Sequence, residues 1–465
     1  MTLIKSISGL RGTIGGTPGD NLTPLDIVKF TSAFARMIQI KQQANDTLKV
    51  VVGRDARISG ETVQGLVVHT LVSMGIDVID LGLSTTPTVE FATVNEKAQG
   101  GVILTASHNP AQWNALKLLN EHGEFLSAAD GETLLQIVHD EAFTYCSYDR
   151  LGTRTTKADY IQKHIEKIKE LDAVDPSLIR TKKFKVVTDS VHSSGGISVP
   201  VLLRDLGVEV VELFSEPHGK FPHDPEPLER NLHELMATVK KEGADLGIAV
   251  DPDVDRLAIV DENGAMFGEE YTLVACADYI LSKTKGPCVS NLSSTRALKD
   301  LAATYDVTYH AAAVGEVNVV TKMKEVGAVI GGEGNGGVIY PDNHYGRDAL
   351  LGIALFLMLL SEREVTVSKL RASYSSYFMT KEKLVLQLKD QELSQVLDEV
   401  AKRHKELSPS TIDGVKIDFE DSWVHLRKSN TEPIVRIYTE AKTQNQADAL
   451  AADFKRLMSD ISAEF

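Results

Sequence analysis

The sequence predicts an α/β chain built from three strand–helix units and a smaller, C-terminal α+β unit. Three observations carry this. Apolar, strand-like runs alternate with helical runs up to about residue 370. The polar loops that follow those strands are rich in glycine, serine and acidic residues. The stretch "DGVKIDFEDSWVHLRKSNTEPIVRIYTEA" instead reads as antiparallel strands around a tight loop, before a last amphipathic helix, "QNQADALAADFKRLMSDI". A length of 465 residues leaves room for three or four domains. The changes of texture put them at 1–150, 151–256, 257–370 and 371–465.

In the first unit "LKVVVGRD" is a strand and "SGETVQGLVVHTLVSMG" a helix, with Ser59 as its cap and Gly75 as its terminator. "IDVIDLGL" and "GVILTAS" are further strands of a largely parallel sheet. The second unit opens with the charged amphipathic helix "TKADYIQKHIEKIKEL". It continues through "KFKVVTDS", the turn "SSGG", the helix "SVPVLLRDLG", the strand "VEVVELF" and "ADLGIAVDPDVDR", and includes the Pro-rich loop "FPHDPEPLERN". The third runs through "LAIVDENG", "CVSNLSST", "VTYHAAAVG" and "GAVIGGEGNGGVIY" to the apolar helix "LLGIALFLMLL". That last run falls far short of the ~20 residues that span a bilayer, so it is expected to be buried in protein.

Bulk properties restrict the function. Hydrophobic content of 43% and charged content of 25% are ordinary for globular protein. A net charge of −16 argues against a general binder of nucleic acid or anionic membrane, while leaving anionic small ligands open. Cys146, Cys276 and Cys288 show no metal or redox spacing and read as small hydrophobes. With an N-terminus that lacks a signal-peptide core, they point to the cytoplasm.

Four loops can carry chemistry, because ligands of open α/β sheets sit beyond the carboxyl ends of strands. In "TASHNP", Ser107 is a candidate nucleophile with His108 and Lys117 nearby, although serine, asparagine and proline also make ordinary turns. The loop is not the G-x-S-x-G elbow of hydrolases. In "AVDPDVDRLAIVD", Asp251, Asp253 and Asp255 alternate, which points their carboxylates to one side of an extended segment. Such a trio repels itself unless a cation neutralises it, and hard oxygen ligands suit Mg²⁺ or Ca²⁺. An EF-hand would share acids at positions 1, 3 and 5, but Arg256 stands where that loop needs glycine. A dehalogenase-type D-x-D-x-[TV] motif is only an imperfect match, with Asp255 at its fifth position.

In "GGEGNGG", glycines admit close approach of a ligand, and Glu333 and Asn335 suit hydrogen bonds to sugar hydroxyls. The alternative there is a plain Gly-rich hairpin. In "RKSNTEPIVR", Arg427, Ser429, Asn430, Thr431 and Arg436 offer guanidinium, hydroxyl and turn N–H groups that fit a phosphate dianion, against the alternative of a polar hairpin turn. The four together are far more specific than any one.

In that order and spacing, "TASHNP", "DPDVDR", "GEGNGG" and "RKSNTEP" resemble the phosphoserine, metal, sugar and phosphate loops of the α-D-phosphohexomutases. "SGLRGTIG" and "VGRDARISG" are also similar to segments of that family's first domain, and the resemblance covers essentially the whole chain. It implies four domains around a central cleft, three α/β domains with mixed sheets and a last domain resembling the TATA-binding-protein fold. It implies an isomerase that moves a phosphoryl group between O6 and O1 of a hexose through phosphorylated Ser107 and a 1,6-bisphosphate. The resemblance favours glucosamine phosphate as the expected substrate, with mannose or glucose phosphates as the alternative and a sugar phosphatase behind them.

The same resemblance implies one Mg²⁺ on Asp251, Asp253, Asp255 and a phosphoserine oxygen of Ser107, with a hexose 1,6-bisphosphate as activator. Lys117, ahead of His108 and helped by Arg11, is the implied general acid/base. Arg256, Glu333 and Asn335 would contact substrate, and Arg427, Ser429, Asn430, Thr431 and Arg436 would hold the phosphate that is not reacting. A phosphosugar would be the partner of a monomer or homodimer, with no nucleic acid or membrane. The sugar loop departs from relatives that carry S-G-H, since Asn335, Gly336 and Gly337 stand there.

Overall fold

The computed structural model describes residues 2–6, 9–41, 47–386, 388, 390–428 and 434–463. The chain forms two compact units, residues 1–284 with 335–371, and residues 285–334 with 372–465.

The first unit contains a mixed seven-stranded sheet in the order Ile4–Ser6, Gly9–Thr13, Trp113–Leu119, Gly100–Leu104, Lys49–Arg54, Asp77–Leu83, Arg154–Thr156. Lys49–Arg54, next to the central strand Gly100–Leu104, pairs in parallel with it and with Asp77–Leu83. Val50, Val51 and Val52 are all fully buried. A strand covered on both faces reads as a continuous apolar run rather than an alternating one. Trp113–Leu119 turns back antiparallel to Gly100–Leu104 and pairs with Gly9–Thr13, which places Arg11 opposite Ala115 and Gly9 opposite Lys117.

A helix does follow at Gly60–Ser73, but Ser59 does not cap it. Ser59 Oγ instead accepts from Nδ2 of buried Asn114 at 3.0 Å, so its hydroxyl ties the helix start to a neighbouring strand.

A second sheet of this unit runs Leu257–Asp261, Leu246–Val250, Lys185–Asp189, Glu209–Leu213. Leu246–Val250 and Leu257–Asp261 form an antiparallel hairpin whose residues are buried throughout except for a trace at Asp261. The aspartate loop is the connection of that hairpin. Helix Ala349–Arg363 is buried from Ala349 through Ser361, as a helix apolar on every side must be. Among the described residues, no helix is long and apolar enough to cross a membrane.

In the second unit, Cys288–Asn291 pairs in parallel with Tyr309–Ala312 and Ile330–Glu333. The C-terminal sheet is wholly antiparallel, in the order Phe378–Val385, Ile434–Ala441, Trp423–Lys428, Val415–Asp418. Helices Asp390–Arg403 and Gln444–Ser462 pack on it through Val396, Val400, Phe454 and Met458. This is the α+β element expected at the C-terminus. Cys276 and Cys288 are buried and Cys146 half-buried, and burial pushes the first two thiols up to about 12, which leaves them inert.

Candidate active site

Ser107 stands just past strand Gly100–Leu104 with φ of 48°, a left-handed backbone that a non-glycine residue adopts only when its surroundings enforce it. Arg57 supplies the enforcement. It is 1% exposed and uses all five of its N–H donors. Nη2 donates to the carbonyls of Ser107 and Asn109, Nη1 to those of Pro110 and Trp113, and Nε to Asp55 Oδ2 at 3.0 Å. Asp55 Oδ2 also accepts from Thr105 Oγ1 at 2.7 Å, and that oxygen accepts the Ser107 N–H at 2.9 Å. The serine loop is thus folded around a buried guanidinium, with the Phe221 ring of the Pro-rich loop 5.1 Å from it.

Ser107 Oγ donates to Asp251 Oδ2 at 2.6 Å and lies 3.3 Å from His108 Nδ1. Asp251, Asp253 and Asp255 are completely buried, and one carboxylate oxygen from each lies within 4.8 Å of the others. Their loop is wrapped on Asp251, whose Oδ1 accepts the backbone N–H groups of Asp255 and Arg256 at 3.2 Å each. Val254 between them has φ of 64°, an outlier for a β-branched residue.

Asp253 Oδ2 accepts from Thr86 Oγ1 at 2.6 Å and from Lys117 Nζ at 2.7 Å. Asp255 Oδ2 accepts from Arg347 Nη2 at 2.7 Å and Lys117 Nζ at 3.3 Å. The remaining oxygens, Oδ1 of Asp253 and Oδ1 of Asp255, are buried without a hydrogen-bond partner. Two orphaned carboxylate oxygens beside a third carboxylate and a serine fit a hard divalent cation such as Mg²⁺.

The electrostatics follow from this packing. Burial, and then Asp255 and Asp253, push the Asp251 carboxyl well above the usual carboxylate range. Burial opposes ionisation of Asp255 as well, but Arg347, Lys117 and Arg256 outweigh it and hold that carboxyl below the usual range. Lys117 loses solvation too, yet Asp253 and Asp255 raise its pKa, so it stays an ammonium ion. His108 is held well below its ordinary value by burial and then by Arg256, so its imidazole is neutral at pH 7. Arg11 donates to Asn109 Oδ1 at 3.1 Å, and burial with Arg256 nearby lowers its pKa. Arg256 Nη1 lies 3.7 Å from Glu226 Oε1 of the Pro-rich loop.

Asn335, Gly336 and Gly337 belong to the first unit and Glu333 to the second. In the first, Asn335 Oδ1 accepts the Gly337 N–H at 3.2 Å, and the Gly336 carbonyl accepts the Leu257 N–H at 3.0 Å. Gly336 has φ of +86°, and a Cβ there would stand 2.4 Å from the Leu257 carbonyl, so only glycine lets this loop lie against the strand that leaves the aspartates. In the second, Glu333 Oε1 accepts from Asn291 Nδ2 at 2.8 Å and from the Gly315 N–H at 3.2 Å. Arg427 and Arg436 are directly opposite on adjacent antiparallel strands, and Arg427 Nε lies 3.2 Å from Asp413 Oδ2. Ser429, Asn430 and Thr431 lie outside the described residues.

Sequence reasoning missed three residues that the structure places at this site: Arg57, Thr86 and Arg347. Arg57 falls within "VGRDARISG", a segment already singled out, so a signal existed. Thr86 and Arg347 carry none, because each is defined by the aspartate it meets across more than ninety residues.

Models of the four domains of one family match the chain in order: "Phosphoglucomutase/phosphomannomutase, alpha/beta/alpha domain I" at residues 3–145, domain II at 162–264, domain III at 268–377, and the "C-terminal domain" at 385–457. A "Phosphoglucomutase/phosphomannomutase" of Thermococcus kodakarensis is 35% identical over 94% of this chain and 96% of its own length. A "Probable phosphoglucosamine mutase" of Methanopyrus kandleri is 32% identical over 96% of each. Among solved structures, a phosphoglucomutase/phosphomannomutase family protein from Burkholderia thailandensis superposes with a TM-score of 0.84 over 98% of both chains at 26% identity.

Proposed function

The chain belongs to the phosphoglucomutase/phosphomannomutase family of phosphohexomutases, and from that premise we propose that it interconverts glucosamine 6-phosphate and glucosamine 1-phosphate. The observation that carries the chemistry is the 2.6 Å contact between Ser107 Oγ and Asp251 Oδ2 inside the buried aspartate loop. It brings the Ser107 hydroxyl against three buried carboxylates, which supports the reading of a nucleophile beside a divalent-cation site.

Asp251, Asp253 and Asp255 would hold Mg²⁺ with an oxygen of phosphorylated Ser107. When bound, the ion offsets negative charge on the transferring phosphoryl group. In its phosphorylated form Ser107 donates its phosphoryl group to a hydroxyl of the hexose monophosphate, giving a 1,6-bisphosphate. The P–Oγ bond breaks as the P–O bond to the sugar forms. The serine then recovers a phosphoryl group from the other position, and added hexose 1,6-bisphosphate primes the enzyme in the same way.

Lys117, kept as an ammonium ion by its two aspartates, supplies the proton to the departing serine oxygen and regains one from the attacking sugar hydroxyl. Neutral His108, 3.3 Å from Oγ, takes the serine proton when Ser107 is rephosphorylated. Arg11 and Arg256 add positive charge around the loop, and Arg256 contacts substrate. Glu333 and Asn335 bind sugar hydroxyls. Arg427 and Arg436, with Ser429, Asn430 and Thr431, bind the phosphate that is not reacting.

The names of the relatives support two substrates. Glucosamine phosphate matches the Methanopyrus protein's name, and the Thermococcus protein's name favours glucose and mannose phosphates as the second reading. A side-by-side assay with all three 6-phosphates, primed by the matching 1,6-bisphosphate, decides between them. Glucosamine phosphate is expected to give the highest kcat/KM, and release of inorganic phosphate in place of a monophosphate equilibrium would show a phosphatase. Ser107→Ala is expected to cut turnover by about a thousandfold or more and to abolish the phosphoserine seen by intact mass. Full turnover in that variant overturns the phosphoserine mechanism.

A further inference from the structure

A second cluster of ligand-type side chains lies in the first unit and takes no part in the mechanism above. His164 belongs to helix Tyr160–Lys169, His344 to the loop that precedes helix Ala349–Arg363, and Asp348 caps that helix. One ligand atom from each lies within 4.8 Å of the others. His164 Nε2 is 3.1 Å and His344 Nε2 3.3 Å from Asp348 Oδ2. These separations are close to the edge of a tetrahedron around an ion with Zn–N and Zn–O bonds of about 2.0–2.1 Å, which is roughly 3.3 Å.

The outer nitrogen of His164 is hydrogen-bonded, and that of His344 faces a carboxylate without a hydrogen bond. His344 Nδ1 lies 3.3 Å from Glu90 Oε2, and His164 Nδ1 lies 3.1 Å from Thr88 Oγ1. A hydroxyl hydrogen-bonded behind an imidazole, as Thr88 is behind His164, holds the ring and aims its other nitrogen inward.

Hydrogen bonding alone accounts poorly for the centre. Asp348 Oδ1 is taken by the Leu351 N–H at 3.1 Å, and Oδ2 already accepts from Asn343 Nδ2 at 2.8 Å and is hydrogen-bonded with His344 Nε2 at 3.3 Å, which leaves it little for His164. His164 is fully buried, and its Nε2 has no hydrogen bond although the carboxylate oxygen is so near. When the His164 proton sits on Nδ1, the Nε2 lone pair faces that carboxylate in a dry site, an arrangement that a cation between them relieves.

We propose that His164 Nε2, His344 Nε2 and Asp348 Oδ2 form a structural Zn²⁺ site, separate from the aspartate loop. Two imidazoles and one carboxylate suit zinc better than Mg²⁺, which prefers six oxygens. Water completes the fourth position. The ion joins helix Tyr160–Lys169 to the loop carrying Arg347, the next residue before Asp348. It therefore steadies the guanidinium that meets Asp255 without touching substrate.

The test uses the full chain, stripped with a chelator and then kept in saturating Mg²⁺ so that the aspartate loop is filled. Zn²⁺ and Co²⁺ are titrated in, with metal content, visible Co²⁺ bands and Tm as readouts. The expected result is one tightly held ion per chain, four-coordinate Co²⁺ bands and a Tm raised by Zn²⁺. His164→Gln and His344→Ala lose all three, whereas Asp253→Asn keeps them. His344→Ala, at the less buried ligand, guards against a folding defect in His164→Gln, and circular dichroism checks both. Wild-type protein that holds no more zinc than His344→Ala, or zinc lost in Asp253→Asn and kept in His344→Ala, overturns the proposal.

Discussion

The aspartate loop of the first unit and the arginine pair of the second solve opposite electrostatic problems. In the first, three buried carboxylates are met by Lys117, Arg347 and Arg256, and two non-glycine residues, Ser107 and Val254, are held at positive φ by the surrounding hydrogen bonds. In the second, Arg427 and Arg436 are placed opposite one another across two strands. Like charges in that position are unfavourable by a few tenths to about 1 kcal/mol. The difference bears on what each region could bind. The aspartate cluster is preorganised down to two orphaned carboxylate oxygens, which would suit a small hard cation. The arginine pair, with Asp413 beside Arg427, keeps positive charge that would suit the phosphate proposed to bind there.

The largest effect expected from that contrast comes from Asp255. Asp255→Asn removes the carboxylate that Arg347 and Lys117 keep ionised, and its orphaned oxygen with it. We expect kcat to fall by about a hundredfold to a thousandfold and the Mg²⁺ concentration for half-activity to rise at least about tenfold. An unchanged Mg²⁺ titration breaks the idea that this loop is the cation site.

Arg347→Ala should come next, with kcat lower by about tenfold to a hundredfold and a weaker Mg²⁺ titration. It leaves Asp255 facing Lys117 at 3.3 Å as its nearest cation. Arg347→Lys should restore only part, because an ammonium ion supplies charge without the planar fork. A mutant equal to wild type in both kcat and Mg²⁺ dependence removes Arg347 from the site.

Arg347 also shows where sequence reading stops. The aspartates were legible because three acids alternate between apolar flanks, and so local a concentration of buried charge calls for a cation. Ser107 was legible as the end of a buried strand in a family-like loop. The alternation of strands and helices, and the antiparallel C-terminal sheet, were legible from hydrophobic period alone. Arg347 and Thr86 were not, because their importance lies in contacts to Asp255 and Asp253 that only the packed chain creates. Ser59 misled for the same reason. A serine before a helical run is a good cap by local rules, and a buried asparagine elsewhere in the chain claimed its oxygen.

A smaller and differently shaped effect belongs to the arginine pair. Arg427→Ala or Arg436→Gln should raise KM for the sugar phosphate by about tenfold while kcat changes by no more than a few-fold. Without ligand, Arg436→Gln should also raise Tm slightly, since it removes one of two like charges placed face to face. If KM stays constant and kcat collapses, the contrast between a preorganised centre and a charged recognition site is wrong.

The smallest effect concerns stability rather than turnover, and it comes from the same sheet as the arginines. His425 is fully enclosed, with Nδ1 2.8 Å from Ser293 Oγ and Nε2 2.6 Å from the Asp413 carbonyl. Burial lowers its pKa to about 4; the Asp413 hydrogen bond opposes that shift, while Lys416 adds to it. The unfolded chain, with an ordinary pKa near 6.5, therefore binds a proton between about pH 6.5 and 4 that the folded chain refuses. Stability must then fall as pH drops through that window, by up to about 3 kcal/mol from this group. Above pH 6.5 the group is neutral in both states and contributes no slope. Replacing it in His425→Gln should flatten the fall in unfolding free energy between pH 6.5 and 4, even if the variant is less stable at pH 7. An acid-side slope identical to wild type would mean that the buried imidazole is not what makes this sheet sensitive to acid.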